Sequence, residues 1–83
     1  MTDLGQKIIT KIARAAAGYG SDGFTDLTVS DIASELGLST EAIRGSLAKL
    51  ETDGLVFAEP TKVNGKNEHF LGVTEQGMKE AVR

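Results

Sequence analysis

The length and composition of this chain indicate one small globular domain and exclude several classes of protein. Its 83 residues suffice for a single core, since independent domains commonly take ~100–200 residues. The apolar share is 40% and the charged share 25%, values typical of a folded chain. The absence of cysteine excludes disulfides, thiolate–zinc sites and a thiol nucleophile. No apolar run approaches the ~20 residues of a spanning helix and no secretory leader is evident, so we expect an intracellular, cytoplasmic domain.

The charge balance counts against a general nucleic-acid binder. Nine Lys and Arg residues oppose twelve Asp and Glu residues, a net charge of −3 at pH 7. The deficit is local, because residues 28–60 carry two basic and six acidic side chains, while residues 1–27 are neutral and residues 61–83 have a net charge of +1. Phosphate neutralisation supplies most non-specific affinity for DNA, so one copy of this chain should bind DNA weakly.

A helix is predicted at the start of the chain. Thr2 or Asp3 can cap it, and Gly18 and Gly20 can end it. The apolar residues expected on its inner face are Leu4, Ile8, Ile12, Ala15, Ala16 and Tyr19.

The segment after this helix is predicted to be a loop that returns to the core. Residues 20–26 are mostly polar, Phe24 and Leu27 are the expected anchors, and a short strand is expected near Thr28. Residues 18–23 match the G-x-G-x-x-G pattern of dinucleotide sites, but a helix precedes them where that site needs a buried strand. We therefore expect no cofactor.

The clearest structural prediction is a pair of helices joined by a tight turn that contains Gly37. Ser30 can cap the first helix, and Gly37 closes it. Ser39 or Thr40 can cap the second, which ends before Gly54. The residues expected to face inward are Ile32, Ala33 and Leu36, then Ile43, Leu47 and Leu50.

A hairpin follows. Residues 55–58 and 70–73 are the predicted strands, and Asn64-Gly65 between them is a strong signal for a two-residue hairpin turn. Pro60 belongs on a sheet edge or marks where the arms diverge. The turn sets the cross-strand pairs Val63 with Lys66 and Val56 with Val73. Finally, Thr74 can cap a short terminal helix.

This order of elements resembles the winged helix-turn-helix of transcription regulators. The residues that carry the resemblance are Ile32-Ala33-x-x-Leu36-Gly37-Leu38-Ser39, Ile43-x-x-x-Leu47-x-x-Leu50-x-x-x-Gly54-Leu55-Val56 and Val73-Thr74-Glu75-Gln76-Gly77. They are similar to small bacterial, archaeal and phage regulators of the multiple-antibiotic-resistance and arsenic-repressor types. The resemblance implies an α+β, mainly α fold with a three-helix core, a β-hairpin wing and a short C-terminal helix. The helix-turn-helix would occupy about residues 30–53 and the wing about 55–74 of one domain spanning 1–83.

The second helix of such a pair is the one that enters the DNA major groove. Arg44 is the leading base-reading candidate, because its fork can bond guanine O6 and N7 together; a solvated arginine paired with Glu41 or Glu51 is the alternative. Gly45 costs ~1 kcal/mol relative to alanine inside a helix and would let either DNA or a neighbouring helix approach closely. The candidate DNA-binding residues of this helix are Ser39, Thr40, Glu41, Arg44, Gly45 and Lys49.

The wing is the second candidate surface. In the regulators that the chain resembles, this hairpin contacts phosphates or the minor groove; the alternative is an ordinary solvated tip. The candidates are Lys62, Asn64, Lys66 and Asn67. His69, the single histidine, has no second ligand at a suitable spacing, so we expect no metal site and a partly exposed strand position.

Two functions stay open. The first is sequence-specific binding of double-stranded DNA by a transcription regulator, and the alternative is a winged-helix protein–protein interaction module without DNA binding. An enzyme is not expected, because no nucleophile has an evident base. A DNA binder should show a positive path from Arg44 and Lys49 to Lys62 and Lys66 that Glu41 and Glu59 do not break. An interaction module should show an exposed apolar patch of several hundred Å² instead.

The shortage of cations favours two copies or a partner protein. A homodimer would place the same reading helix on both halves of a two-fold site. Its expected surface consists of the first helix and the C-terminal helix with Met78 and Val82.

Overall fold

The residues that the structure describes form four helices and one two-stranded hairpin. A computed structural model describes residues 1–20 and 22–82. In chain order the elements are α1 (Asp3–Tyr19), α2 (Val29–Leu36), α3 (Thr40–Thr52), β1 (Val56–Val63), β2 (Lys66–Val73) and α4 (Glu75–Ala81). The expected α+β, mainly helical winged helix-turn-helix is confirmed. Among the described residues, no helix combines the length and hydrophobicity needed to cross a bilayer.

The ends of α1 are fixed by the predicted caps. The Oγ1 atom of Thr2 accepts a hydrogen bond from the Gly5 amide at 3.0 Å. Gly20, at a φ of 138°, closes the helix and donates to the carbonyl of Ala16 at 3.1 Å. Gly20 therefore serves the helix end, and Ser21 of the glycine-rich stretch lies outside the described residues.

The buried face of α1 is wider than the predicted stripe. Ile9 and Ala13 are buried although they lie off that stripe, while Tyr19 is 60% exposed, so its assignment to the inner face is wrong. α1 packs against α3, β2 and α4, and three neighbours cover more than one face of a helix. Tyr19 is the last residue of α1, and its side chain is turned to solvent.

α2 begins two residues earlier than predicted. Thr28, not Ser30, is its N-cap, because Asp31 completes a capping box three residues on. The Asp31 amide donates to Thr28 Oγ1 at 3.2 Å, and the Thr28 amide donates to Asp31 Oδ2 at 3.0 Å. Gly37, at a φ of 68°, ends α2 as predicted.

The short strand expected near Thr28 is wrong. The extended contact lies earlier, as one isolated antiparallel bridge between Phe24 and Gly72. The Leu71 amide also donates to the Leu27 carbonyl at 2.8 Å. This segment therefore follows the outer edge of β2 without forming a strand, because the capping bonds of Thr28 commit the chain to α2.

Phe24 anchors on the sheet rather than in the core. Its side chain is 46% exposed, and its ring meets Phe57 edge-on at a centroid distance of 5.1 Å. The Phe57 ring in turn covers Gly72, where a Cβ atom would overlap it. Leu27 is half-buried.

α3 follows the prediction closely. Ser39 caps it by accepting from the Ala42 amide at 3.2 Å. Ile43, Leu47 and Leu50 are 0%, 3% and 2% exposed, as their spacing requires. These three side chains join α3 to the same apolar cluster as α1 and α2, and they fix which face of α3 is turned outward.

The wing is a hairpin longer than predicted. Asn64 and Gly65 form its turn at φ values of 53° and 79°, the pair of left-handed residues that a type I′ turn needs. The predicted pairs, Val63 with Lys66 and Val56 with Val73, are confirmed. Pairing continues through Pro60 opposite His69, so the arms do not diverge and Pro60 lies on an edge strand.

α4 is tied to the base of the wing through Thr74. The hydroxyl of Thr74 accepts from the Gly77 amide at 3.0 Å and donates to the Gly54 carbonyl at 2.7 Å. Met78 is half-buried against the core, while Val82, just after the helix, is 79% exposed. Of the two apolar residues predicted for an interface, Met78 is thus mostly committed within the chain.

Candidate nucleic-acid interface

The exposed surface of α3 has an outer ridge and two flanks. Because Ile43, Leu47 and Leu50 face the core, a rotation of about 100° per residue fixes the directions of all other positions. The residues that lie farthest from the core, all exposed, are Glu41, Gly45, Ala48 and Thr52, here called the outer ridge. Arg44 and Lys49 lie about 140° apart, on opposite flanks.

The flank that carries Arg44 borders a groove between α3 and the wing. This α3–wing groove has a volume of about 380 Å³. Its lining residues are Val29, Arg44, Leu47, Ala48, Glu51, Ala58, Pro60, His69 and Leu71. The apolar members form its floor, and Arg44, Glu51 and His69 are its charged or titratable members.

Arg44 makes neither of the ion pairs found among the described residues. Those pairs are Lys11 with Glu35, at 3.2 Å, and Lys49 with Asp53, at 3.0 Å. The intrachain alternative for Arg44, pairing with Glu41 or Glu51, is therefore not seen. Its exposed guanidinium keeps the planar fork that bidentate recognition requires.

Lys49, on the flank of α3 opposite Arg44, takes part in an ion pair. Its Nζ atom lies 3.0 Å from Asp53 Oδ1, one turn along the helix, and its side chain is 73% exposed. It lines a separate groove beside Met1 and Gly5 at the start of α1. An exposed pair of this spacing is worth only about 0.3–0.5 kcal/mol, so Lys49 stays available to a phosphate.

The N-terminal turn of α3 combines donors with one carboxylate. Ser39 is exposed and Thr40 half-buried, and the Ser39 hydroxyl already accepts a backbone hydrogen bond, which leaves its proton to donate. The positive end of the helix dipole favours an anion here. Glu41, exposed in the same turn, offsets that potential and stabilises the helix start.

Gly45 stands on the outer ridge with no intrachain reason to be glycine. A Cβ atom built on it would have no heavy atom within 4 Å outside its own helix turn and chain neighbours. Its φ also lies outside the left-handed region. Close packing of a neighbouring helix, one of the two explanations considered from the sequence, is therefore not its role.

The wing presents its two tip lysines on opposite faces. Lys62 is paired with Asn67, and Lys66 with Val63. Side chains alternate between faces along a strand, so Lys62 and Asn67 share the face of Pro60 and His69, which borders the α3–wing groove. Lys66 lies on the other face, and Asn64 lies in the turn.

The four candidate lysine and arginine residues therefore divide into two sets. Arg44 and Lys62 lie toward the α3–wing groove, whereas Lys49 and Lys66 lie away from it. The single positive path expected from the sequence through these four side chains is therefore not seen. Glu59, paired with Phe70, lies on the far face of the wing, but Glu51 lines the α3–wing groove beside Arg44 and brings a negative charge to it.

His69 lies at an exposed strand position, as predicted, but its place in the lining of the α3–wing groove was not predicted. It is exposed on the groove face of β2, within the same lining as Arg44. The Asn64-Gly65 turn could have predicted this place, because the register that it sets puts His69 opposite Pro60. His69 therefore lies on the same face of the wing as Lys62. Among the described residues, no three His, Cys, Asp or Glu side chains are grouped to hold a metal.

None of the large apolar side chains exposed in the described residues lies on α3. The exposed ones are Met1, Tyr19, Phe24, Leu38 and Val82. They lie before α1, at its last residue, in two connecting segments and at the C-cap of α4. The exposed face of α3 is thus made of polar and small residues.

Comparison with known proteins reveals likeness of structure alone. No protein-family model matches the chain, and no curated protein matches it in sequence. The chain superposes on MepR of Staphylococcus aureus in its complex with DNA, with a TM-score of 0.78 at 18% identity, over 99% of this chain and 54% of MepR. It also superposes on ZitR of Lactococcus lactis, a zinc-responsive MarR family member. The TM-score is 0.75 at 20% identity, over 99% of this chain and 49% of ZitR.

AdcR of Streptococcus pyogenes, the adhesin competence repressor, gives a TM-score of 0.77 at 17% identity, over 99% of this chain and 53% of AdcR. The chain therefore spans about half the length of these regulators. At such identities the match defines the architecture only. The chain has the winged helix-turn-helix fold that these transcription regulators share.

Proposed function

We propose that this chain is the DNA-binding module of a transcription regulator, with α3 in the major groove and the wing on the backbone or minor groove. The observation that carries the proposal is the free guanidinium of Arg44 on an exposed, polar face of α3, with Lys62 of the wing on the same side. The fold supports it, since one structure of the same architecture contains DNA.

In this arrangement the outer ridge faces the base edges. Arg44 reads a guanine, and Ser39 and Thr40 at the helix start bind phosphate. Lys49 and the four wing residues Lys62, Asn64, Lys66 and Asn67 hold the backbone. Glu41 either accepts from a cytosine amino group or limits binding to sites that tolerate its charge.

The interaction-module alternative is favoured by the net charge of −4 on residues 28–60 and by the division of the four candidate cations between different faces. An apolar docking surface would place large hydrophobic side chains on the reading face of α3. The exposed ones of the described residues lie elsewhere, which supports nucleic acid as the partner.

We further propose that the module works as a homodimer. One domain, residues 1–83, offers few cations, and a second copy doubles the phosphate contacts and reads a two-fold site. A groove of about 300 Å³ between α1 and α4 is lined by Ala13, Ala17, Met78, Ala81 and Val82 among others. This mostly apolar surface supports α1 and α4 as the dimer contact.

The decisive experiment is selection of duplexes from a random library, followed by titration of the selected duplex at low salt by fluorescence anisotropy. We expect binding in the micromolar range or tighter, weakening steeply with salt. An identical response to selected and scrambled duplexes would remove sequence specificity. Absence of binding at tens of micromolar would reject the DNA-binding proposal and leave the interaction module.

Sedimentation velocity across a range of chain concentrations tests the dimer. Val82→Asp should shift the chain toward monomer, because it places a charge in an apolar contact. A sedimentation coefficient that is independent of concentration and of this substitution would contradict the proposed interface. An intracellular, cytoplasmic location accompanies the proposal, because the proposed partner is double-stranded DNA.

A further inference from the structure

The four helical glycines of the described residues differ in what surrounds them. At Gly77 a Cβ atom would overlap the backbone of Leu55, and at Gly5 it would press on Met1 and Thr2 at 3.2 Å. Gly18 and Gly45 have open space instead, with no heavy atom within 4 Å of a built Cβ. Gly18 is next to last in α1, where helices fray. Gly45 lies in the middle of α3.

Nothing in the described residues compensates for the loss of helix stability that Gly45 causes. Glycine in an exposed helix interior destabilises the helix relative to alanine, because its backbone loses more freedom on folding. Neither a tight contact nor a left-handed φ requires glycine here. A requirement for glycine at position 45 would therefore come from a molecule that binds the chain.

The position of Gly45 turns it away from the rest of the chain. It lies on the outer ridge, between Glu41 and Ala48, directly opposite the buried face formed by Ile43, Leu47 and Leu50. Any object that receives α3 meets this point first. A major groove about 12 Å wide holds a helix whose diameter with side chains is about 10–12 Å, so the depth of insertion depends on the ridge residues.

We propose that Gly45 is a steric determinant of DNA affinity, the point where the absent side chain lets the backbone of α3 approach the base edges. This inference rests on the proposed DNA-binding function. It explains a destabilising residue as a requirement of the interface. Glu41, Ala48 and Thr52 on the outer ridge already carry a Cβ atom, so Gly45 is the one gap in that ridge. A Cβ atom at position 45 would add about the length of one C–C bond, ~1.5 Å, at this gap and hold the helix axis back there. Such a shift would also draw Arg44 away from the guanine it reads.

The test measures stability and DNA binding on the same variants. Gly45→Ala should raise the Tm by about 4 °C or more, as expected for alanine in an exposed helix of a domain this size. The same variant should bind the selected duplex about threefold or more weakly, and Gly45→Gln at least about tenfold more weakly. Stability and affinity should thus change in opposite directions.

Gly18→Ala and Gly18→Gln are the matched controls, since Gly18 is equally unobstructed, lies on α1 and does not line the groove between α1 and α4. They should leave affinity for the duplex unchanged. Binding of Gly45→Gln at the wild-type affinity would overturn the inference while leaving DNA binding intact. A fall in the Tm of Gly45→Ala would also overturn it, because glycine would then serve the fold. Failure of the wild-type chain to bind any duplex rejects the proposed function itself, and this inference with it.

Discussion

Lys62 and Lys66 lie on opposite faces of the wing, because Lys62 is paired with Asn67 and Lys66 with Val63. Only Lys62 shares its face with His69, which lines the α3–wing groove beside Arg44. The two lysines look equivalent in the sequence, yet the register gives them different surroundings. They therefore form a natural matched pair for testing where the DNA backbone runs.

Lys62→Ala should weaken binding to all duplexes more than Lys66→Ala does. Each phosphate contact contributes about one unit to the dependence of log K on log salt, so Lys62→Ala should lower that slope by about one. Lys66→Ala should lower it by less. Anisotropy titrations between about 50 and 200 mM salt give both slopes. Equal slopes for the two variants would show that the backbone does not follow the groove face.

Arg44→Ala should relax sequence preference. Losing a bidentate contact to guanine should cost about 1–3 kcal/mol on the selected duplex and much less on a scrambled one. Arg44→Lys is the control, because it keeps the charge but lacks the planar fork. If the lysine variant retains full discrimination, Arg44 acts as a phosphate contact and not as a base reader.

Thr28→Ala should destabilise the fold, while Ser30→Ala should have little effect. Thr28 forms the capping box with Asp31, whereas Ser30 is exposed inside the first turn of α2. Loss of an N-cap costs typically about 1 kcal/mol, or about 4–8 °C of Tm in a domain of this size. Thermal unfolding followed by circular dichroism compares the two, and the reverse order would restore Ser30 as the cap.

The single tyrosine should titrate above its ordinary range. A hydrogen bond from its hydroxyl to the Asp26 carboxylate is the main cause that raises the pKa of Tyr19 from 10.0, with partial desolvation and the negative charge of Asp26 adding to it. Between the unfolded and folded pKa values the folded chain holds more protons, so this contribution to stability is lost as the pH rises through that interval. Ultraviolet titration of tyrosinate should show the shift in the wild type.

Asp26→Ala should return that titration to the ordinary value. The chain has no tryptophan and one tyrosine, so the absorbance change reports a single group. A wild-type titration at the ordinary value, unaltered by the substitution, would rule out the contact between Tyr19 and Asp26.

The sequence predicts most of the fold because its signals are local. Thr2, Ser39 and Thr74 cap helices through atoms three residues away, and Asn64-Gly65 sets the hairpin register by itself. The wrong predictions concern residues whose burial or pairing is set by elements that are distant in the sequence. Ile9 is buried because three elements surround α1, and the segment at Phe24 lies along β2 through contacts that local preference does not encode.

The candidate site likewise has features that the sequence predicts and features that it does not. That Arg44 and Lys49 lie on opposite flanks follows from their spacing alone, as does the opposition of Lys62 and Lys66 once the turn is placed. The freedom of Arg44 from ion pairs and the open space around Gly45 could not be predicted, because both depend on what the rest of the chain leaves uncovered.

Pro60, in the middle of β1, limits how copies of this molecule associate. One side of β1 pairs with β2, and the Gly23 and Leu27 carbonyls accept hydrogen bonds along the outer edge of β2. The other edge of β1 carries a proline, which has no amide hydrogen to donate to an added strand. An added strand would therefore lack a hydrogen bond at the centre of this edge, which disfavours edge-to-edge association of two wings. The dimer proposed through α1 and α4 does not use that edge.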